Sequence, residues 1–448
     1  MRALIVFAFI ISEVRIYASI CDLCVCREYS DIEYLGESVD CSYTKPVLFS
    51  VEDSLPNMVY SLDLSSNNLS DISNSYLYRS KYMKELIVSN NKISRIESNV
   101  LQLPELTKLD LSNNLLEFID KDVFKDIKKL KYLNIANNRF TTFTKLAFHH
   151  LSNLNKIILD NNNIGPSLRE TNLFHRSGFG LTHKIKEISI SGINLNIVPD
   201  NFFVEAYDLK KLTISNNNLT DIFEIPFTLE YLDISDNPID EISNEDFDMP
   251  ALKILKLNNL AITEVPDYVF ADLHGLEKLE LERNRNLTKF SILSFGREVL
   301  EDADDFTLEE LSLSGSRIPR LNEALAEPFG QLVKLDLQGN PWICDCNIMW
   351  LKKLQIPERD YDHLRCRSPR PLYNARIFEL PDSYFVCTAD RHLTAFTVAA
   401  AGFCVLLALI AVWFFIVVPK WQTRGTELGH LHPAAGYMVL PSVHSTPL

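Results

Sequence analysis

The sequence predicts an α/β solenoid in which short parallel strands form a concave sheet, with a disulfide-bonded cap at each end and one transmembrane helix. Three observations support this fold class. A leucine-bearing pattern returns about every 24 residues between 58 and 340. Two groups of four cysteines flank that array, and a run of 24 residues without charge, 395–418, follows the second group.

The repeating pattern is clearest between Leu106 and Phe140. Leucines and one asparagine follow the order L-x-x-L-x-L-x-x-N-x-L, and Asn138 stands 24 residues after Asn114. Alternate residues of a strand share one face, so the leucines form one apolar face. A single repeat cannot bury that face, and neighbouring repeats must stack on it. The asparagine amide is expected to hydrogen-bond backbone groups that the turn leaves unpaired.

Aligning the chain on this turn position gives twelve repeats. The aligned residues are Asn67, Asn91, Asn114, Asn138, Asn162, Ile193, Asn217, Asn237, Leu260, Asn284, Ser316 and Asn340. Ile193, Leu260 and Ser316 replace the asparagine, so another group must satisfy the backbone there, and we expect weaker local order. Ten residues after the turn position a second ladder recurs, mostly of phenylalanine, which is typical of packing on the convex side of the core.

The pattern and its flanking cysteines resemble extracellular leucine-rich-repeat membrane proteins, the group that includes adhesion and Toll-like receptors. The carboxy-terminal segment N-P-W-x-C-D-C-x-x-x-W-L is a specific signature of their cap. Four cysteines alone allow three connectivities. The resemblance implies the pairs Cys21–Cys26, Cys24–Cys41, Cys344–Cys366 and Cys346–Cys387. A zinc site is the alternative interpretation of these groups, but their position between a signal peptide and a membrane span favours disulfides.

Seven segments follow from these features. They are a signal peptide at 1–18, an amino-terminal cap at 19–57, the repeats at 58–340, a carboxy-terminal cap at 341–387, a linker at 388–394, a transmembrane helix at 395–418 and a cytoplasmic tail at 419–448. Uncharged residues 395–418 are enough to span roughly 30 Å of hydrocarbon. Lys420 and Arg424 follow directly, which orients the tail to the cytoplasm and predicts a single-pass type I protein of the plasma membrane.

The tail carries two short motifs and is too short for a signalling domain. Tyr437 and Leu440 fit a tyrosine-based endocytic signal that would bind a sorting adaptor. Thr446 and Leu448 fit a carboxy-terminal PDZ ligand, whose chain end adds a strand to the domain. Each motif spans only a few residues, so chance occurrence is the alternative interpretation.

Composition and motifs argue against catalysis and nucleic-acid binding. The formal net charge of -15 is unfavourable for binding phosphate backbones. The sequence has no phosphate-binding glycine loop, no H-E-x-x-H and no G-x-S-x-G. We therefore expect a protein that is not an enzyme and that needs no cofactor or catalytic metal.

Recognition by the concave sheet is the function that remains. Ile87 and Ile158 occupy outward strand positions that are mostly polar in other repeats, and Tyr132, Tyr231 and Ile254 occupy the neighbouring outward position. Exposed apolar residues of this kind are candidate anchors for a protein partner. We hypothesise that Ile87, Tyr132 and Ile158 form a site on repeats 2–5. The alternative is that they are scattered surface residues.

Three asparagines are predicted glycosylation sites. Asn68, Asn218 and Asn286 begin N-x-S/T acceptors at or just after a turn position, so glycans would shield one edge of the sheet.

The first functional hypothesis is a cell-surface recognition or adhesion protein that binds an extracellular protein or a second copy of itself. The alternatives are a receptor or co-receptor that signals through a partner subunit, and a matrix-binding form released by cleavage between Thr388 and Leu393.

Overall fold

The structure is a computed structural model that describes most of the chain. The described residues are 20–31, 34–44, 55, 58–73, 78–146, 148–168, 173–174, 180–301 and 306–417. The predicted signal peptide and cytoplasmic tail lie outside them, as do the four tail-motif residues. The chain divides into two compact units, Met1–Phe385 and Val386–Leu448.

A 14-stranded sheet organises the first unit. It begins with an antiparallel hairpin of strands Val25–Asp31 and Tyr34–Asp40, which belongs to the amino-terminal cap. Twelve parallel strands follow, one for each turn position of the sequence, and we number the repeats 1 to 12 by them. They are Val59–Asp63, Glu85–Ile87, Lys108–Asp110, Tyr132–Asn134, Lys156–Ile158, Glu187–Ser189, Lys211–Thr213, Tyr231–Asp233, Ile254–Lys256, Lys278–Glu280, Glu310–Ser312 and Lys334–Asp336.

The leucine periodicity explains these short strands. In most repeats the central strand residue is buried and the two flanking residues are partly exposed, as at Leu109 between Lys108 and Asp110. Neighbouring strands pair without a register shift from repeat 1 to repeat 12, so equivalent residues of successive repeats lie side by side in rows. The outward rows form the surface that is available to a partner. The chain therefore adopts the parallel-sheet solenoid that the sequence predicts.

Turn asparagines join each repeat to the one before it. The Asn91 amide donates to the carbonyl of Val88 in its own repeat and to that of Leu64 in repeat 1, both at 3.0 Å. Its side-chain oxygen accepts from the backbone N–H groups of Asn67 at 2.9 Å and Leu69 at 3.0 Å. One buried side chain therefore satisfies four backbone groups that the parallel strands leave unpaired.

Where the turn asparagine is replaced, the asparagine of the next repeat still makes its usual bonds to that repeat. At Ile193 the backbone N–H donates to the Asn217 oxygen at 3.0 Å, and the Asn217 amide donates to the Ile190 carbonyl at 2.9 Å. In the same way, the side-chain oxygen of Asn284 accepts a hydrogen bond from the Leu260 N–H at 2.7 Å. The next repeat therefore keeps its usual hydrogen bonds, while the apolar side chain makes none of the bonds that an asparagine there would make to the preceding repeat.

The third replaced position keeps a side-chain donor of its own. The Ser316 hydroxyl is buried and donates to the carbonyl of Leu281 in the preceding repeat at 3.1 Å. A shorter side chain thus retains the contact to the previous repeat and loses the additional donors of an amide.

The convex side holds short elements and an aromatic stack. Phe124 and Phe148 have ring centroids 6.4 Å apart, and Phe247 and Phe270 are 6.2 Å apart. Two pairs of two-residue strands lie here, Asp71–Ile72 with Arg95–Ile96 and Glu264–Val265 with Lys289–Phe290. The amino-terminal cap has the 3-10 turn Ile20–Asp22. The described helices of the repeats are the 3-10 turns Phe143–Lys145, Gly165–Ser167 and Glu323–Leu325 and the α-helices Glu298–Glu301 and Ala326–Gly330.

The carboxy-terminal cap covers the last repeat with two buried tryptophans. Trp342 is fully buried, and its ring N–H donates to the Leu337 carbonyl at 3.3 Å. Trp350 is 2% exposed and its ring N–H donates to Leu321 at 3.4 Å. The cap elements are strands Trp342–Ile343 and Cys366–Ser368 and the 3-10 helices Cys346–Lys353, Glu358–His363, Arg370–Leu372, Ile377–Glu379 and Asp382–Tyr384.

The second unit contains one long helix. An α-helix runs over Thr388–Val412 and continues as a π-helical turn over Trp413–Val417. The predicted linker, residues 388–394, lies in the first turns of that helix. They contain no glycine or proline that would end a helix. By length and hydropathy, no helix in the described part of the chain is identified as a membrane span.

Candidate partner-binding surface

The first predicted group, on repeats 2–5, lies on the outward face of the sheet but is not contiguous. Ile87, Tyr132 and Ile158 are each partly exposed. Asp110 and Asn134 stand between the two isoleucines in the same row, and the Asn134 amide donates to the Asp110 carboxylate at 3.2 Å. Because neighbouring strands are about 4.8 Å apart, the isoleucines are separated by roughly 14 Å. A partner that contacts both must cross this polar pair.

Lysines hold the ring of Tyr132 on both sides. The Lys108 ammonium is 5.9 Å and the Lys156 ammonium 5.8 Å from the ring centroid, each from a neighbouring strand. Such cation–π contacts limit the motion of an exposed ring. The two lysines also pair with Glu85 at 3.9 Å and Glu187 at 2.8 Å. Charge around the ring is therefore balanced, and its aromatic surface remains available.

Two groups near this site have shifted acidities. Partial burial, with a smaller contribution from the Asp110 carboxylate, raises the pKa of Tyr132 above its ordinary value. Burial likewise raises the pKa of Asp160, although its carboxylate accepts hydrogen bonds from the Ser189 hydroxyl at 2.7 Å and from the Ser191 backbone at 2.8 Å. Desolvation is therefore the largest cause of the pKa shift at both Tyr132 and Asp160.

The second pair of predicted residues, on repeats 8 and 9, is contiguous. Tyr231 and Ile254 are direct partners in the parallel register of adjacent strands. The Lys211 ammonium lies 4.3 Å from the Tyr231 ring centroid, on the side away from Ile254. Burial is the main cause that raises the pKa of Tyr231 to about 12, and the Asp233 and Glu280 carboxylates add to it.

Beyond this pair the surface becomes charged. Glu280 accepts from Lys256 at 3.0 Å, from Lys278 at 3.2 Å and from the Asn258 amide at 3.0 Å. Lys278 also pairs with Glu310 at 2.9 Å. Burial acts to raise the pKa of Glu280, but the three donors outweigh it and the pKa is lowered. Repeats 9–11 therefore present a paired ionic network rather than an apolar anchor.

Eight of the nine cysteines lie in the two caps, and Cys404 lies in the long helix. Disulfides join Cys21 to Cys26, Cys24 to Cys41 and Cys344 to Cys366, the pairs that the family resemblance implies. Cys346 and Cys387 are each disulfide-bonded as well. Cys21 and Cys26 lie near Glu37 in a group with the spacing of metal ligands, but their sulfurs are bonded to each other and are not free thiolates.

The three predicted glycosylation acceptors are exposed at the edge where the strands end. The side chains of Asn68, Asn218 and Asn286 all face outward. The leucine that follows each acceptor is buried: Leu69, Leu219 and Leu287. A glycan on any of the three would therefore extend from the edge without disturbing the core.

Three lysines that contact the aromatic residues are not among the site residues predicted from the sequence. Lys108, Lys156 and Lys211 occupy the strand position directly before the central buried residue. The signal was present in the repeat alignment, because a side chain at this position lies beside its equivalent in the next repeat. When the repeats are aligned, each of these lysines stands beside a tyrosine of the neighbouring repeat.

The "Leucine rich repeat" family model matches residues 104–164 and 227–285 of the chain. Among curated relatives, Tsukushi of Gallus gallus is 28% identical over 285 residues, 62% of this chain and 67% of that protein. Toll-like receptor 7 of Mus musculus is 27% identical over 412 residues, 82% of this chain and 37% of that protein. Chaoptin of Tribolium castaneum is 24% identical over 291 residues, 62% of this chain and 36% of that protein.

A solved structure shows the same fold. A chain in the octameric complex of Latrophilin 3, Unc5D and FLRT2 (LRR) superposes with a TM-score of 0.52 at 18% identity, covering 81% of this chain and 98% of that chain. The chain spans about two thirds of Tsukushi but well under half of Chaoptin and of Toll-like receptor 7.

Proposed function

The chain is a leucine-rich-repeat protein, and we propose that it is a cell-surface recognition protein whose concave sheet binds a protein partner. The main support is the placement of apolar side chains in an otherwise polar, paired surface. Ile87, Tyr132 and Ile158 are partly exposed on one face of repeats 2–5. Burying such residues against a partner yields binding free energy, and a few apolar anchors dominate most protein interfaces.

The neighbouring charges favour a partner that is chosen by shape and apolar contact. Lys108 and Lys156 already have carboxylate partners, and Asp110 already accepts from Asn134. A ligand gains little from groups whose charges are satisfied within the sheet. The exposed faces of Ile87 and Tyr132 are the surfaces that water solvates poorly, so they should contribute most of the affinity.

Location outside the cell is the second part of the proposal. The disulfides of both caps are typical of proteins that fold in an oxidising compartment. Residues 395–418 have no charge and are followed by Lys420 and Arg424, which supports a single-pass type I protein of the plasma membrane. Surface biotinylation of cells that express the full chain tests this, and protection of the ectodomain from the reagent would contradict it.

The partner-binding experiment has two steps. Cells that display the full chain are screened against cell-surface and secreted proteins, including the chain itself. A partner found in this way is then measured against a triple variant, Ile87→Asp, Tyr132→Ala and Ile158→Asp. We expect affinity to fall at least about tenfold, because three anchors of roughly 1 kcal/mol or more are lost. Ile197→Asp is the matched control, since Ile197 is 75% exposed and lies outside the strands. Equal affinity of triple variant and control would contradict the proposed site.

A co-receptor role is the second candidate. It is supported by the match to a Toll-like receptor over 82% of this chain. Co-precipitation of the full chain with a signalling receptor only after ligand addition would support this role. Cell aggregation on expression without any ligand would favour adhesion instead.

A further inference from the structure

A basic cavity lies apart from the concave face, between the last repeats and the carboxy-terminal cap. Its volume is about 760 Å³, and its lining includes Arg285, Arg317, His363, Arg365, Arg367 and Tyr373. Four guanidinium groups around one cavity are unexpected in a chain whose formal net charge is -15. We call this feature the basic cavity.

The positive charge of the basic cavity is not compensated within the described part of the chain. No carboxylate is among its lining residues. None of the four arginines has a described carboxylate within the 4.0 Å of an ion pair, whereas Arg320 and Arg376 nearby do have such partners. Unpaired guanidinium groups in a recess favour the approach of an anion.

Neutral acceptors hold two of the arginines in place. The Arg365 guanidinium donates to the backbone carbonyls of Asp362 at 2.6 Å and Asn374 at 2.9 Å. Arg367 donates to the Tyr373 hydroxyl at 3.0 Å and lies 5.3 Å from the centre of its ring. These contacts orient the guanidinium groups without cancelling their charge, which lowers the entropy that a ligand must remove.

The other two arginines come from the repeats. Arg285 and Arg317 each follow the turn position, in repeats 10 and 11, so the solenoid places them side by side. Both side chains are exposed and free to turn toward a ligand. Repeat 12 has Pro341 at this position, and the chain then continues into the cap, which carries Arg365 and Arg367. The cavity therefore depends on where the array ends.

We propose that the basic cavity binds a short segment of a sulfated glycan. A planar guanidinium matches the oxygens of a sulfate with two parallel hydrogen bonds. Tyr373 is 59% exposed and offers a flat face for a sugar ring, while the exposed Asn374 can hydrogen-bond hydroxyl groups. The acidic chain around the cavity repels a long polyanion, which favours a short segment over a nucleic acid. This site is separate from the proposed concave surface.

Binding of a fluorescent heparin octasaccharide to the purified full chain in detergent tests the proposal. Arg285→Ala and Arg317→Ala are each expected to weaken binding by about fivefold, the usual effect of one exposed charge-assisted contact. Arg139→Ala is the matched control, because Arg139 is exposed at the same turn-following position in repeat 4. It should bind as the wild type does. Unchanged melting temperatures would show that all three variants remain folded.

Three results would overturn the proposal. One is a loss of affinity in Arg285→Ala and Arg317→Ala no larger than in Arg139→Ala. Another is equal binding of the desulfated octasaccharide, which would remove the role of the sulfates. The third is an acidic peptide of the same charge that binds more tightly, which would assign the cavity to a protein ligand. The triple variant of the concave surface should bind the octasaccharide normally, so the two proposals can fail separately.

Discussion

Tyr231 and Ile254 lie directly opposite each other on neighbouring strands of the concave sheet, with Lys211 over the tyrosine ring at 4.3 Å. The pair forms a continuous apolar surface. The isoleucines of repeats 2–5 do not, because two polar residues separate Ile87 from Ile158. The concave face therefore offers two distinct apolar sites, and a partner can use one without the other.

Ile254→Lys separates these two sites. If a partner uses repeats 8 and 9, its affinity should fall at least about tenfold, because a buried contact is replaced by a charge that must be desolvated. Ile197→Lys, on an exposed residue outside the strands, should leave the affinity unchanged. Binding is measured on cells that display the full chain. A partner affected only by the repeats 2–5 variant would assign the site to Ile87, Tyr132 and Ile158.

Tyr231 should titrate well above an ordinary tyrosine. Burial, aided by Asp233 and Glu280, raises its pKa from 10.0 to about 12. The unfolded chain ionises this phenol at the lower pH, so the folded state loses stability as pH rises from about 10 to 12. A phenolate absorbance difference between wild type and Tyr231→Phe, recorded after a rapid pH jump, should show one ionisation near pH 12. A step near pH 10 would contradict the burial of this hydroxyl.

Glu280→Gln should destabilise the protein in a pH-dependent way. The folded pKa of Glu280 is lowered, so its charged form contributes stability above its ordinary pKa of 4.5, and this is lost as pH falls through the folded value. We expect the substitution to cost about 1–3 kcal/mol near pH 7, because Lys256 and Lys278 lose their shared acceptor. Urea unfolding of wild type and variant near pH 7, and again in acid below the folded pKa of Glu280, measures the difference in free energy of unfolding. If the stability difference between wild type and Glu280→Gln became larger in acid, folding would have to raise the pKa of Glu280, contrary to this prediction.

Turn asparagines should differ in importance according to how many donors a carbonyl has. Asn217 is the one described side-chain donor to the Ile190 carbonyl, because Ile193 occupies the turn position of that repeat. Asn114 shares the Val88 carbonyl with the turn asparagine of repeat 2. We expect Asn217→Ala to cost about 2–4 kcal/mol and Asn114→Ala about 1–2 kcal/mol. Urea unfolding compares the two, and equal losses would contradict this sharing of donors.

Trp350→Ala should destabilise the carboxy-terminal cap. The side chain is 2% exposed against the last repeats, and removing such a ring costs about 3–5 kcal/mol. Met349→Ala next to it is the control, since that side chain is 36% exposed and should cost well under about 1 kcal/mol. Thermal unfolding and limited proteolysis of the full chain measure both. Similar melting temperatures would show that the cap does not depend on this residue.

Most of the scaffold could be predicted from local sequence. The repeats are read from leucines a few residues apart, and each prediction is repeated twelve times along the chain. The ends of elements were harder to predict. Residues 388–394 lack the apolar character of a span and are predicted as a linker, yet they form the first turns of the helix that begins at Thr388, and no glycine or proline interrupts it.

Local sequence is enough to predict which side chains are buried and which face outward, because a strand alternates and the turn position sets the register of every repeat. It could not determine which outward side chains meet. Tyr231 lies opposite Ile254 only when the repeats stack, and Arg285 lines the same cavity as Arg365 only when the cap folds back on the array. Such contacts join residues far apart in the chain, and their geometry depends on the packing of the whole array.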